Sequence, residues 1–351
     1  MGNYPEPPLL RADTESRSEG RSNAILCLVA AVARVVIHRL RVTTTARGRD
    51  PRQSTTMDAV GRALLRQGGG LATTRELLAV MTRQQLDWHV RRGDLVRVWY
   101  GVYADHQPDV RGRLSALDLF LGEEAVACLG TAAVLYGFDV ENTAAIHMLD
   151  PGRRVRPTIG LTVHQRLGAP LQRVAGRLAT APAWTAVETA RRLPRPRALA
   201  TLDAAVHSTW CDTGDLQGAV DAQAGRRGIV SVRELLPHVD GRAESAMESE
   251  ARLVMIDYGL PKPELQYEIR GPGGVVWRVD FAWPDRRVVA EYESVDWHVG
   301  PREMIRDRTR LAGIQESGWT VIPMVVDDIR RHPARLAQRI AHHLSQPRLA
   351  G

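Results

Sequence analysis

From Val275 to Trp283 the chain alternates, with Val275, Trp277, Val279, Phe281 and Trp283 on one side and Val276, Arg278, Asp280 and Ala282 on the other. A period of two is the pattern of a strand with one packed face, so Asp280 is an acid on an otherwise packed element. Pro284, Asp285 and two arginines interrupt the alternation, and Val288 to Glu293 resumes it as a second strand on which Glu291 and Glu293 share a face. Paired as a hairpin, these strands bring three carboxylates together. Their mutual repulsion is ordinarily relieved by a hard divalent cation with oxygen ligands, so a metal site is the first expectation.

The surrounding periodicity predicts the rest of this region. Ser245 and Glu248 have capping-box spacing and open a helix with Met247, Ala251, Val254 and Tyr258 on one apolar face, closed by Gly259 and Pro261. Leu265 to Arg270 reads as a strand that turns through Gly271 to Gly274 into the next. Arg302 to Ser317 reads as a helix with Met304, Leu311 and Ile314 inward, followed by a strand over Trp319 to Val326. Ala334 to Leu344 closes the region as an amphipathic helix with Leu336, Ile340 and Leu344 in register.

Towards the start, Met57 to Gln67 has helical spacing and stops at three glycines. Thr73 with Glu76 and Thr82 with Gln85 are two further helix starts. The helix from Thr82 to Arg92 is expected to bury Leu86 and Val90 and to leave Arg83, Gln84, Asp87 and Arg91 outward. Gly93 ends it, and Leu95 to Tyr103, which carries Arg97, reads as a two-stranded hairpin. Between these regions the pattern predicts helices over Leu114 to Leu129 and Thr131 to Gly137, and strands over Ala144 to Leu149 and Leu161 to Gln165. Further helices are expected from Ala183, over Ala198 to His207 and over Leu216 to Ala222. His147 and His164 fall on the strands, where a lone histidine is ordinarily a packing residue. No repeat or low-complexity tract is present.

Residues 1–56 differ in character. They hold an apolar run from Ala24 to Ile37 that is interrupted by Arg34 and followed by a basic tail. The run is too short to span a bilayer and lacks the flanks of a signal peptide, so no membrane role is expected. The segment reads as a disordered extension, or as residues upstream of a true start at Met57. It carries nine arginines against five acids and so accounts for much of the formal charge of +7, leaving only a weak basic excess for nucleic acid elsewhere. Lys262 is the single lysine. Cys27, Cys128 and Cys211 form no metal or CxxC spacing, which points to a reducing, cytoplasmic setting.

Two resemblances extend this reading. Asp280, ten intervening residues and Glu291-Tyr292-Glu293 resemble the core of the PD-(D/E)XK nucleases, in particular the DUF559 group related to the very-short-patch repair endonucleases. The likeness takes in Ser245 to Glu248, Gly259 to Pro261, Trp297-His298, Asp307-Arg308 and Gly318-Trp319, and covers residues 243–345. The second resemblance is to AbiEi-type antitoxins of type IV toxin-antitoxin systems. It rests on the helices after Met57, on Gly93-Asp94-Leu95 and on Arg97 to Ala104, and it runs on through the order of elements in residues 105–242.

The first resemblance implies metal-assisted phosphodiester hydrolysis, with Asp280 and Glu291 holding Mg²⁺ or Mn²⁺ and the ion activating a water. It implies a proton-transfer function for His298 and participation of Glu248 from the first helix. Many relatives carry a lysine where this chain has Glu293, which either recruits a second ion or marks lost turnover. Arg308 and Arg310, on the following helix, are placed to meet phosphate or to pair with the clustered acids; pairing is preferred because buried acids need partners. The second resemblance implies a winged helix-turn-helix over residues 57–104 that touches double-stranded DNA through Arg83, Gln84, Arg91 and Arg97, with a cognate toxin as a further partner.

The expected fold class is therefore α+β or α/β and multidomain: a winged helix-turn-helix, a mixed α/β middle region at 105–242, and a restriction-endonuclease-like domain at 243–345. The expected function is a DNA-binding protein with a metal-dependent endonuclease-like domain. The alternative is an antitoxin-type transcriptional regulator whose nuclease fold does not turn over.

Overall fold

The computed structural model describes residue 57 and residues 59–138, 144–156, 158–165, 168–294 and 301–346. Residues 1–56, and with them the expected N-terminal extension, lie outside the described residues, as does His298. Met1–Asp58 and Ala59–Gly351 form separate units, and every element below belongs to the second.

Short capped helices open this unit. Helix α1 (Ala59–Gln67) ends at the glycine run, where Gly70 takes φ +87°, and β1 (Leu71–Thr73) follows. Thr73 Oγ1 accepts the N–H of Glu76 at 3.3 Å while the Glu76 carboxylate accepts the N–H of Thr73 at 2.8 Å, starting α2 (Thr74–Leu78). Thr82 and Gln85 repeat the arrangement at the head of α3 (Arg83–Arg92), which stops at Gly93. Strands β2 (Val96–Trp99) and β3 (Val102–Ala104) then form a hairpin, and β1 pairs with the far side of β3. One expectation for α3 is corrected: the buried pair is Leu86 and His89, with Val90 only partly covered. The imidazole tolerates burial because its Nδ1 lies 2.9 Å from Asp94 Oδ2, supplied by the turn after Gly93.

Helix α4 (Val110–Leu121) stops at Gly122 with φ +76°, well before the predicted end at Leu129. The residues beyond it serve a sheet instead, since Ala127 bridges to both Met148 and Ala179. Helix α5 (Leu129–Tyr136) leads to the parallel pair β4 (Ile146–Leu149) and β5 (Leu161–His164). A hairpin that periodicity had not indicated, β6 (Leu171–Val174) with β7 (Arg177–Thr180), comes next. Four helices follow: α6 (Pro182–Ala190), α7 (Arg195–His207), α8 (Thr213–Ala222) and α9 (Ile229–Leu235). A single core joins Leu71, Trp99 and Val102 of the first sheet to Leu114, Met148, Leu199 and Leu216. The histidines of β4 and β5 are not lone packing residues, because His147 Nδ1 and His164 Nε2 lie 2.9 Å apart.

The last region comprises α10 (Ala246–Asp257), β8 (Glu264–Arg270), β9 (Val276–Trp283), β10 (Val288–Tyr292), α11 (Pro301–Glu316), β11 (Thr320–Met324), α12 (Val326–Arg330) and α13 (Pro333–Ser345). The strands form one sheet in the order β11-β10-β9-β8, with only the β10–β11 pair parallel. Two inward assignments fail. Tyr258 caps α10 one residue past its last turn, and Met304 lies in the exposed first half of α11; each is 49% exposed.

Helix α10 belongs to both cores, presenting Leu253 to the first and Ala251 and Met255 to the second. Ion pairs fix it on both sides. Buried Glu250 meets Arg197 of α7 at 3.1 Å and Arg330 of α12 at 2.7 Å, while Arg252 meets buried Asp203 of α7 at 2.5 Å. Burial pushes the Glu250 carboxyl up, but the guanidiniums of Arg330 and Arg197 outweigh it and hold the group below the usual range.

Candidate functional site

The β9–β10 register pairs Phe281 with Ala290, so Asp280 and Glu291 stand side by side as the next residues in line. Asp280 Oδ2 accepts the N–H of Tyr292 at 2.9 Å. On its other flank, Gln266 of β8 falls between the pairs Leu265–Phe281 and Tyr267–Val279, opposite Asp280. Gln266 has φ +52°, a left-handed backbone that costs a side-chain-bearing residue on the order of 1 kcal/mol. Its Nε2 donates to Glu248 Oε2 at 2.9 Å, and the same oxygen accepts the N–H of Glu244 at 3.0 Å. Ser245 Oγ does cap the N–H of Glu248, at 3.2 Å. The reciprocal half of the expected capping box is replaced, because the Glu248 carboxylate turns to Gln266 and Glu244.

These acids act on one another. The Asp280 carboxyl is pushed up to about 6, first by burial and then by the charges of Glu248 and Glu291; the Tyr292 N–H and the Arg310 charge oppose the shift. Glu291 is buried and held at both oxygens. Arg310 Nη1 donates to Oε2 at 3.0 Å and Nη2 donates to Oε1, while Nη2 also reaches the carbonyl of Arg278 at 2.6 Å. The hydrogen bonds to Glu291 raise the Arg310 pKa despite its partial burial. Of the two outcomes foreseen for the arginines of α11, the structure has Arg310 paired with the acids.

Sequence reasoning thus located Asp280, Glu291 and Glu248, which the structure brings together. Glu293 lies one residue past β10, exposed, with its N–H on the Met324 carbonyl at 2.8 Å. Lys262 is exposed ahead of β8. Gln266 was missed, because nothing in an LQY stretch of a strand signals a left-handed backbone.

A divalent cation, as implied by the nuclease resemblance, has to fit this donor set. Both Glu291 oxygens are engaged by Arg310, one Asp280 oxygen by Tyr292 N–H and one Glu248 oxygen by two donors. Among the described residues, no group of three or more His, Cys, Asp or Glu is arranged to hold a metal ion. As arranged, Glu291 is held by Arg310, so the counter-charge at that acid is a guanidinium.

The second candidate surface is basic. Arg83, Gln84 and Arg91 are exposed on α3 and Arg97 is exposed on β2. Asp87 offsets Arg83 at 3.8 Å and accepts the Arg91 Nε–H at its carbonyl at 3.3 Å. The Arg92 guanidinium covers the Trp88 ring at 4.9 Å. Among the described residues no helix is long and apolar enough to cross a membrane.

Comparison with known proteins matches residues 125–238 to the family described as the AbiEi antitoxin C-terminal domain, in agreement with the antitoxin resemblance read in the middle of the chain. The chain is also 71% identical over 271 residues, 77% of its length and 100% of the relative's, to "Uncharacterized protein Rv2248" of Mycobacterium tuberculosis strain ATCC 25618 / H37Rv. The same figures hold for "Uncharacterized protein MT2308" of Mycobacterium tuberculosis strain CDC 1551 / Oshkosh.

Proposed function

We propose that this chain, which belongs to one family with these two mycobacterial proteins and carries an AbiEi-type antitoxin domain, is a DNA-binding antitoxin-type regulator. Its N-terminal helices and hairpin act as a winged helix-turn-helix. Helix α3 enters the major groove with Arg83, Gln84 and Arg91, and Arg97 of the hairpin meets phosphate. The AbiEi-type domain is the surface for a cognate toxin protein. In the last region a nuclease-like sheet is retained without turnover.

The observation that carries this reading is the grip of Arg310 on both oxygens of Glu291. Metal-dependent hydrolysis uses such a carboxylate to hold a cation that activates water; here both Glu291 oxygens are engaged by Arg310, and a guanidinium does not activate water. Glu293, exposed here, stands where the nuclease resemblance implies a lysine in many members, and this points the same way.

Metal-dependent hydrolysis is the second reading, and the convergence of Asp280, Glu291 and Glu248 favours it. On that reading Arg310 leaves Glu291 for a phosphate, and Asp280 with Glu291 takes Mg²⁺ or Mn²⁺. The experiment that separates the two is titration of labelled duplex DNA from upstream of the protein's own coding sequence, in either ion. Binding without cleavage supports the regulator. Cleavage that disappears in both Asp280→Ala and Glu291→Ala supports the nuclease.

A further inference from the structure

Helix α7 meets a different surface at each end. Past its C-terminus the chain turns through Thr209, whose φ of +62° lies in the left-handed region that a β-branched residue rarely enters, and this turn sets out Trp210. The indole meets the Tyr136 ring edge-on with centroids 5.2 Å apart, yet the residue is 42% exposed. From Ser208 to Gly225 the chain has three acids, Asp212, Asp215 and Asp221, all exposed, and no arginine, lysine or histidine. Trp210 is therefore an aromatic knob in an acidic surround, which repels nucleic acid. At the other end, Pro196 in the first turn of α7 lines a cavity of about 500 Å³. Leu253, Val254, Tyr258, Ile329 and Pro333 supply the rest of its apolar lining. Of the two acids that also line it, buried Glu250 is matched by Arg330 at 2.7 Å and Arg197 at 3.1 Å, and Asp257 meets Arg195 at 3.0 Å. Three guanidiniums thus stand against two carboxylates. Between knob and cavity runs α7 itself, 13 residues and so about 20 Å long.

We propose that Trp210 of one copy of this chain seats in the Pro196–Val254–Pro333 cavity of a second copy, a head-to-tail contact between unlike surfaces. Volume, lining and charge all select that occupant. A pocket of this size encloses a small organic ligand, and an indole is smaller. Proline and aliphatic walls beside the Tyr258 ring offer an aromatic side chain the apolar area and ring edge that it packs against. The acids around Trp210 meet a cavity with surplus guanidinium charge, and this complementarity sets which way the copies face. A rigid helix separates the two surfaces, so no copy can fill its own cavity. A second copy brings both complements in every molecule. Because the joined surfaces differ, the contact does not close as a two-fold pair and adds copies in one repeating direction, to a ring or an open chain.

This contact is independent of the DNA-binding and hydrolysis readings, and it is tested on the full chain without DNA or metal. Sedimentation velocity is measured over a concentration series at low and high salt. The variants are Trp210→Ala, which removes the knob, Pro196→Trp, which covers the cavity mouth from an exposed position, and Asp221→Arg, which reverses one charge beside the knob. Tyr100→Ala removes an exposed aromatic ring elsewhere and serves as the control. The wild type and the Tyr100 variant should form species that grow beyond a dimer with concentration. Trp210→Ala should raise the dissociation constant by at least about 30-fold, as expected for a tryptophan at the centre of an interface. Pro196→Trp should also leave monomers. Mixed together, these two variants keep one intact knob and one intact cavity between them, so they should give a dimer and nothing larger. Asp221→Arg, an exposed change that spares both knob and cavity, should weaken association and reduce its dependence on salt. A wild type that stays monomeric throughout overturns the inference, and so does one that stops at a two-fold dimer. Association that Trp210→Ala leaves unchanged, or two blocked variants that remain monomers when mixed, overturns it equally.

Discussion

Arg310 holds Glu291 with both of its terminal nitrogens, bringing a guanidinium from α11 onto the strand that carries the acid at the centre of the carboxylate cluster. Glu291 is buried, and Arg310 is the guanidinium that meets it there. Arg310→Ala should therefore destabilise the protein by on the order of 2 kcal/mol, below the value for a fully buried pair because Arg310 keeps a third of its side chain in solvent. Urea denaturation at neutral pH measures this. Adding Glu291→Gln to Arg310→Ala should recover part of the loss, since the uncompensated charge is then gone. Equal stability of the single and double variants would show that packing, not charge, dominates.

Asp280 provides a test by pH. Its carboxyl is raised from an ordinary 3.8 to about 6, so between those values the folded state binds the proton more tightly than the unfolded chain. The associated stability is present in full below about pH 4 and is lost as the pH rises through about 6. Asp280→Asn removes the ionisation, and Asn still accepts the Tyr292 N–H. The variant should gain at most about 3 kcal/mol over the wild type at pH 8 and gain little at pH 4. Thermal melts of both proteins across this range decide it, and a pH-independent difference would count against the burial argument.

The paired histidines of β4 and β5 run in the opposite sense. Burial, helped by the charges of Arg192, His147 and Arg191, lowers His164 to about 4; burial also lowers His147. Folded histidines that resist protonation contribute stability above the unfolded value near 6.5 that is lost as the pH falls towards 4. His164→Gln should flatten the stability profile between about pH 6.5 and pH 4, leaving the region near pH 8 little changed. Proton-exchange spectra of the two imidazoles would locate the titration directly.

Helix α10 is the joint between the two cores, and Glu250 is its most enclosed charge. Arg197→Ala leaves that carboxylate with Arg330 alone and should cost about 3 kcal/mol. Replacing Glu250 by Gln in the same chain should restore part of the loss. Because Glu250 is held below its usual range, the wild-type contribution is present at neutral pH and is lost as the pH falls through its lowered value.

Much of this was legible in the sequence for identifiable reasons. The two-residue alternation fixed β9 and β10 and with them the adjacency of Asp280 and Glu291, and the Thr-x-x-Glu and Thr-x-x-Gln spacings located α2 and α3. What escaped leaves no periodic mark along the chain. The β6–β7 hairpin has short strands with a largely exposed first member, so no alternation marks it. His89 is buried because Asp94 meets it across a turn, and Gln266 takes a left-handed backbone between neighbours that pair normally. The spacing of Arg310 allowed either a phosphate or an acid as its partner. Only the three-dimensional arrangement brings it to Glu291.

The central claim, DNA binding without phosphodiester cleavage, is met most directly by one gel. End-labelled duplex from upstream of the coding sequence is incubated with the full chain in Mg²⁺ or Mn²⁺, and half of each sample is run native and half denatured. A retarded native band whose strands remain full-length is the predicted result. Shortened strands that vanish with Asp280→Ala and with Glu291→Ala would contradict it.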